Sequence, residues 1–414
     1  MPKTAEVHDK EPLATVDGTI ETAEASHSDI TTDVSGSAKL RPSGTPAASP
    51  EADSPDPSEL RVPANSAGKP VPRGLTTYSS TTYLRKAIRL RVLLLVNRFR
   101  VIRTIDVAVA CFSDRTFKAA LIAAQRAMRS LVKEKLVRRH KTERSQTVYG
   151  LTERGAAWLE EQGLSAASSV RRVLDMTNPE HRLWAQFLVL ASEARGLQAE
   201  TEQDLMKALN KGKVGAAQVQ GLLDITRHVE GKDVKLQLRP DAVAYEPDGI
   251  TWFEVDRSRR GDRTAALAAL MNSVGVTLVN GKALRRVVVF CKTERIERGA
   301  LAVLRGIVEK SNDKVLIPGR CHYKEAGPGT WAVWRAIHPR KGSDCVDIIV
   351  GHIIVQPLPV WLPKVRIDSR SKHRMDGWFE DNYLPYRRPS PNHPWMAPIS
   401  PLLAGAKSAE VAPR

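Results

Sequence analysis

The chain has 414 residues, with 63 Lys and Arg against 46 Asp and Glu and a formal net charge of +17. That length exceeds what one hydrophobic core ordinarily organises, so two domains with tails are expected, and the cationic excess selects a polyanionic partner. Residues 1–60 hold 12 acidic and 4 basic side chains, which leaves 59 basic and 34 acidic, a net +25, for the remainder.

Cys111, Cys291, Cys321 and Cys345 lie far apart with no CxxC pair, which argues for reduced thiols rather than a disulfide framework. No secretory leader or lipid-anchoring motif is present, and the most apolar run, Val92–Val96, is short and fenced by Arg91 and Arg98. A membrane partner is therefore not expected, and a cytoplasmic location is.

Residues 1–77 are Ala, Ser, Thr, Pro, Asp and Glu with almost no aromatics, a composition that cannot offset the entropy of ordering, so a disordered acidic tail is expected there. Residues 78–165 then form a first domain. Ile88, Val92, Leu93, Leu95 and Val96 predict a helix over 84–99, and a second is predicted over 104–111 with a turn at Phe112-Ser113.

From Asp114 the chain turns informative. Phe117, Leu121, Ala124, Met128, Leu131 and Val132 share one helical face, while Arg115, Arg126, Arg129 and Lys133 fall on the other. Val137 opens an extended run that carries Arg138, Arg139, His140, Lys141 and Arg144, and Thr147, Val148 and Tyr149 return as a strand. Thr152 caps a following helix. A helix with a core face and a cationic face, beside a basic hairpin, is suited to lie along a phosphate backbone. On these marks, and on the YGLTERG exit at Tyr149–Gly155, the segment resembles a winged helix-turn-helix domain of bacterial transcription and plasmid-control proteins. The resemblance implies binding to double-stranded DNA through the eight cations Arg115, Arg126, Arg129, Lys133, Arg138, Arg139, Lys141 and Arg144.

A connector over 165–177 leads to a second domain, residues 178–355. Asn178-Pro179-Glu180 starts a helix that Gly196 ends, 201–209 is a short helical candidate, and 211–231 gives no clear pattern. Extended runs at 235–238 and 241–245, a turn at Glu246-Pro247-Asp248-Gly249 and a strand at 250–256 follow. Strand alternation places Glu254 and Asp256 on one face, and a hairpin about the turn brings Asp241 towards them. Three gathered carboxylates suit a hard divalent ion, Mg²⁺ or Mn²⁺, and phosphodiester hydrolysis is the usual use of such a site.

The spacing of Asp241 from Glu254-Val255-Asp256 resembles the PD-(D/E)xK nuclease fold, and a strand over 285–291 with a helix over 296–311 is expected to complete its αβββαβ core. More specifically, RPDAV and FEVDR after a winged helix resemble the replication-relaxation family of plasmid and mobile-element proteins, over roughly residues 80–315. The resemblance implies an α/β protein with catalytic and metal-binding roles for Asp241, Glu254 and Asp256. One departure stands out: Asp256 occupies the position where the nuclease pattern has Lys, and nearby Arg257, Arg259, Arg260 and Arg263 are poor bases because a guanidinium stays protonated.

Val315–Ile317 and Thr330–Ile337 are further strand candidates, and Cys321, His322, His338, Cys345 and His352 lack the ligand spacing of a zinc site. Residues 356–414 hold ten of the 26 prolines with Trp361, Trp378, Phe379, Tyr383, Tyr386 and Trp395 among basic residues, a tail whose aromatics are expected to anchor it to the body. The functional expectation is DNA binding in replication, mobilisation or regulation of a mobile element, with other replication or mobilisation proteins as further partners. A metal-dependent endonuclease, and a transcriptional regulator whose nuclease-like domain is non-catalytic and serves a homodimer, are the alternatives.

Overall fold

The computed structural model describes residues 80–142, 147–171, 180–229, 232–256, 261–311, 319–338, 345–358, 384–389 and 394–398. The acidic tail, Arg144, the strand candidate at 315–317 and the aromatic residues from 361 to 383 lie outside them. The chain is mixed α/β. No helix among the described residues is long and apolar enough to cross a membrane.

The first helix, α1 (Thr81–Phe99), starts at Ser80, whose hydroxyl accepts from Tyr83 N at 3.2 Å. It buries Leu84, Val92, Leu93, Leu95, Val96 and Phe99. Helix α2 (Thr104–Phe112) is apolar almost all round and is buried along its length, as such a helix must be. Helix α3 (Phe117–Lys133) buries Ala124, Met128 and Leu131 of the predicted stripe together with Ala120, while Phe117, Leu121 and Val132 of that stripe are half-buried. Strands β1 (Val137–Lys141) and β2 (Thr147–Leu151) form an antiparallel hairpin in the register Val137 to Leu151 and Lys141 to Thr147. Ile102 adds a third rung, exchanging backbone hydrogen bonds with Tyr149 at 3.1 and 2.8 Å. Helix α4 (Glu153–Glu161) is capped as expected by Thr152, whose hydroxyl accepts from Gly155 N at 3.0 Å.

Helix α5 (Glu180–Glu193) is followed by strand β3 (Gln198–Thr201), helix α6 (Glu202–Leu209), and a separate two-stranded antiparallel hairpin, β4 (Leu223–Val229) and β5 (Lys232–Leu238). Then come β6 (Ala242–Glu246), β7 (Gly249–Asp256), α7 (Gly261–Asn272), β8 (Leu284–Cys291), α8 (Glu294–Ser311), β9 (Cys321–Gly327), β10 (Thr330–Ile337) and β11 (Val346–Pro357). Seven strands make one mixed sheet in the order β3-β6-β7-β8-β11-β10-β9. Its centre, β7-β8-β11, is parallel, and each flank is an antiparallel pair or hairpin. The parallel step from β7 to β8 passes through α7, a helix that the sequence pattern did not predict; α8 follows β8 over the residues expected for it.

Two apolar layers cover the sheet. Val243, Trp252, Val287 and Val289 pack on one side with Leu270, Met271, Leu304 and Ile307 of α7 and α8. On the other side Ala242, Ala244, Phe253, Val255, Val288 and Phe290 meet Trp184, Phe187, Leu188 and Ala191 of α5. That second layer continues without a break into α1, α2, α3 and the hairpin, so α5 is buried between helices and sheet. Each fully buried Val, Leu, Ile, Met or Phe side chain among them stabilises the fold by roughly 1.5–3 kcal/mol.

Candidate functional site

The cationic face predicted for α3 is exposed. Arg126, Arg129 and Lys133 all project from the side away from Ala124 and Met128, and Arg138, Arg139 and Lys141 are exposed on β1. Arg129 Nε bonds only its own helix, at Gln125 O, 3.3 Å away. Among the described residues none of these six cations has an ion-pair partner. Arg115 differs: it precedes α3, is half-buried, and lays its guanidinium 5.1 Å from the Phe112 ring centre. Burial, with the Arg138 charge beside it, lowers the His140 pKa below its ordinary value, so this ring adds no charge near neutral pH.

A buried charge network fixes this module to α5. Arg103, directly before α2, donates from Nη2 and Nε to Asp106 at 2.7 and 3.1 Å and from its backbone N at 2.7 Å. Arg103 Nη2 also reaches Leu183 O at 2.7 Å, and Gln186 Nε2 donates to Asp106 at 3.0 Å. The two side chains are only 6% and 0% exposed, so neither charge is compensated by water.

The same helix carries His181 to the carboxylate region. Register pairs Ala242 with Phe253, which sets Asp241 opposite Glu254, as the hairpin argument requires. Asp241 Oδ2 accepts from Val255 N at 2.6 Å, and its Oδ1 lies 2.9 Å from His181 Nε2. Glu254 Oε1 accepts from Trp252 Nε1 at 2.7 Å, in the layer beneath α7 and α8. Asp256 ends β7 beside Cys291; its side chain lies outside the described set. Among the described residues no three His, Cys, Asp or Glu side chains are grouped to hold a metal ion.

Asp241 and His181 open on a cleft of about 150 Å³ that Arg98, Arg182, Gln203 and Asp204 also line. Arg98 is bonded to Glu193 at 2.6 Å and Asp204 at 3.1 Å. Burial opposes its charge, but Glu193 and then Asp204 outweigh that and raise its pKa. His181 was not singled out from the sequence, where sixty positions separate it from Asp241 and no local motif joins them.

Residues 93–268 match the replication-relaxation family. The match runs from the second half of α1 into α7, so the likeness read from RPDAV and FEVDR is borne out over the helical module, the hairpin and the carboxylate strands. No curated protein and no solved structure matches the chain. Beyond the replication-relaxation segment, one of the residues weighed as zinc ligands has its contacts within the sheet: His322 Nε2 lies 3.3 Å from Asp347 and its ring stacks on Trp334. Burial, then the Arg286 charge, lowers the His352 pKa to about 4. Tyr386 and Trp395 of the tail are anchored to the body as expected, with Tyr386 fully buried against Phe253.

Proposed function

We propose that this is a DNA-binding protein acting in replication, mobilisation or regulation of a plasmid or other mobile element, and that α1 to α4 with the β1–β2 hairpin read duplex DNA as a winged helix. One observation carries the reading: Arg126, Arg129 and Lys133 stand exposed and without ion-pair partners on α3, next to Arg138, Arg139 and Lys141 on β1. Cations held in the open on a helix and its neighbouring hairpin are placed for phosphates. The Ile102 rung on Tyr149 supports the winged arrangement, and the match to the replication-relaxation family supports the biological setting.

The test is duplex affinity against salt. Replacing Arg126, Arg129 and Lys133 together by Ala should lower the slope of log K on log salt by about 0.9 for each phosphate no longer neutralised, with an unchanged thermal melt. An unchanged melt with unchanged affinity would remove α3 from the interface.

A second reading, a divalent-metal-dependent DNA endonuclease, is favoured by topology. The order α5, β3, β6, β7, α7, β8 supports an αβββαβ core, and Asp241 stands across from Glu254 in it. Asp241 turns to His181 of α5 and Glu254 to Trp252 beneath α7 and α8, so holding Mg²⁺ or Mn²⁺ would require one of the two carboxylates to turn towards the other and a third oxygen donor to join them. No lysine stands at Asp256, so weak cleavage at most is expected. Nicking of supercoiled plasmid in Mn²⁺ that disappears in Glu254→Ala would establish the enzyme.

A further inference from the structure

The α3 cations do not end at Lys133. Beyond it a groove of about 430 Å³ opens between α1, the turn after α3, and α4, lined by the four cations Arg89, Lys133, Lys135 and Arg154, by Trp158, and by the carboxylates Glu134 and Glu161. Lys133, Lys135 and Arg154 are exposed, and among the described residues none of the three has an ion-pair partner. Glu134 is already taken by Arg89 and by Ser130 Oγ, at 2.9 Å from the latter. The half-buried Trp158 ring has the Arg89 guanidinium on it, 5.8 Å from its centre.

Lys135 adds an independent sign. Leu136 N returns to Leu131 O and Lys135 N to Val132 O, both at 3.0 Å, a helix ending that puts Lys135 at φ 60°. Glycine is the residue suited to that position. A lysine held there against backbone preference, with a free ammonium at the rim of a basic groove, points to use of its charge.

We propose that this groove binds single-stranded DNA continuing from the duplex on α3. Its phosphates lie on Lys135 and Arg154, and an unpaired base lies against Trp158. Lys133 belongs to both surfaces and makes the track continuous. A concave groove of nucleotide dimensions with one aromatic ring among cations suits an unstacked base, whereas the duplex meets the exposed face of α3. The inference rests on the DNA-binding reading above.

The experiment measures fluorescence anisotropy of the full chain with two probes, a labelled oligothymidylate and a labelled blunt duplex. Lys135→Gly with Arg154→Gln should weaken oligothymidylate binding roughly tenfold and flatten its salt slope by about 0.7 for each phosphate no longer neutralised, with duplex affinity nearly unchanged. Trp158→Leu should cost about tenfold on the oligothymidylate, and Trp158→Phe should retain most of the binding. Lys135→Gly alone should raise the melting temperature by on the order of 2 °C, which separates lost binding from lost folding. Equal weakening on both probes, no weakening on the oligothymidylate, or duplex binding by a wild-type chain that ignores the oligothymidylate would each overturn the groove proposal alone. A wild-type chain that binds neither probe would overturn the DNA reading with it.

Discussion

Removing one oxygen atom from Tyr386 is a sharp test of how the C-terminal tail is held. Glu246 ends β6 with a side chain 1% exposed, and four donors surround its carboxylate. Thr251 Oγ1 and Tyr386 OH donate at 2.5 and 2.6 Å, Arg388 Nη1 at 2.5 Å, and Arg286 Nη1 lies 3.5 Å away. Burial pushes the Tyr386 pKa well above its ordinary value, Arg286 opposes that and Glu246 adds to it, so the phenol is the donor. The ring is 6.0 Å from Phe253 and 5.0 Å from Trp395, centre to centre, and Trp395 Nε1 donates to Tyr386 O at 2.8 Å.

Tyr386→Phe keeps the ring and deletes both the hydrogen bond that the hydroxyl donates to a buried carboxylate and the one it accepts from Arg388 Nη1 at 3.1 Å, the first alone a loss of about 1.5–3 kcal/mol. Glu246→Gln removes the charge that two guanidiniums share. Arg286 keeps Asp248, at 2.9 and 2.6 Å, but among the described residues Arg388 keeps only the Tyr386 hydroxyl and the Tyr386 and Trp395 rings. Breaking a buried pair in this way costs about 3–5 kcal/mol. Because the two groups touch, the double variant should fall short of the sum by on the order of 1 kcal/mol. Urea unfolding measures the three stabilities, and the rate of tryptic cleavage after Arg387 measures local release of the tail, since the Arg388–Pro389 bond resists trypsin. A Tyr386→Phe chain within about 0.5 kcal/mol of wild type and cut no faster would refute the clasp.

Three further outcomes follow from the same kind of reading. Gly155→Ala should destabilise by about 1–3 kcal/mol, because a Cβ there would sit 2.1 Å from Leu136 O and 2.8 Å from Leu151 Cδ1; a wild-type melting temperature would contradict this. Arg103→Met should cost about 3–5 kcal/mol by stranding the Asp106 carboxylate, and Arg103→Met with Asp106→Leu should recover most of it; a double variant no better than the single would disprove the pairing. His352, with a folded pKa of about 4 against roughly 6.5 when unfolded, takes up its proton more readily in the unfolded chain. Stability should therefore fall as pH drops from about 6.5 towards 4, by roughly 1–2 kcal/mol once solvent screening is allowed for, and His352→Gln should flatten that part of the curve.

The elements that the sequence made legible are those whose pattern is local. The α3 stripe, the Thr152 cap and the β6–β7 hairpin about Pro247-Asp248 rest on spacings of a few residues, and each stands where expected. Helix α7 was hidden because its AALAALM run is short and uniformly apolar, without the alternation of faces that marks a helix on a surface. Strand β11 reads as two short apolar runs, 348–350 and 353–355, parted by Gly351-His352, and that glycine weighs against a strand until its reason is known: a Cβ would meet Arg285 O of β8 at 2.1 Å. Strand β3 has four residues and takes its order from pairing with β6. The contacts that define the site were the least legible. The Arg103-x-x-Asp106 spacing is visible, but Gln186 is eighty positions away, and Tyr386 reaches Glu246 across 140.

Among the described residues outside glycine, Arg100 at φ 65° and Lys135 at φ 60° hold the left-handed backbone. Each closes a helix of the N-terminal helical module, and each carries a conformational cost that glycine would avoid. For Arg100 the compensation is visible: Nη1 donates to Asn97 Oδ1 at 3.3 Å and to Ala167 O at 3.0 Å, while Asn97 Nδ2 donates to Ser165 O at 3.0 Å. Its side chain fastens the end of α1 to the segment leaving α4, and glycine would give up those bonds. Lys135 has no such account, since only its backbone is bonded. Two residues under the same strain thus divide cleanly. One is kept by the fold it ties together, and the other has no side-chain bond among the described residues to offset its strain, so Lys135→Gly should gain stability while an Arg100→Gly chain should lose it.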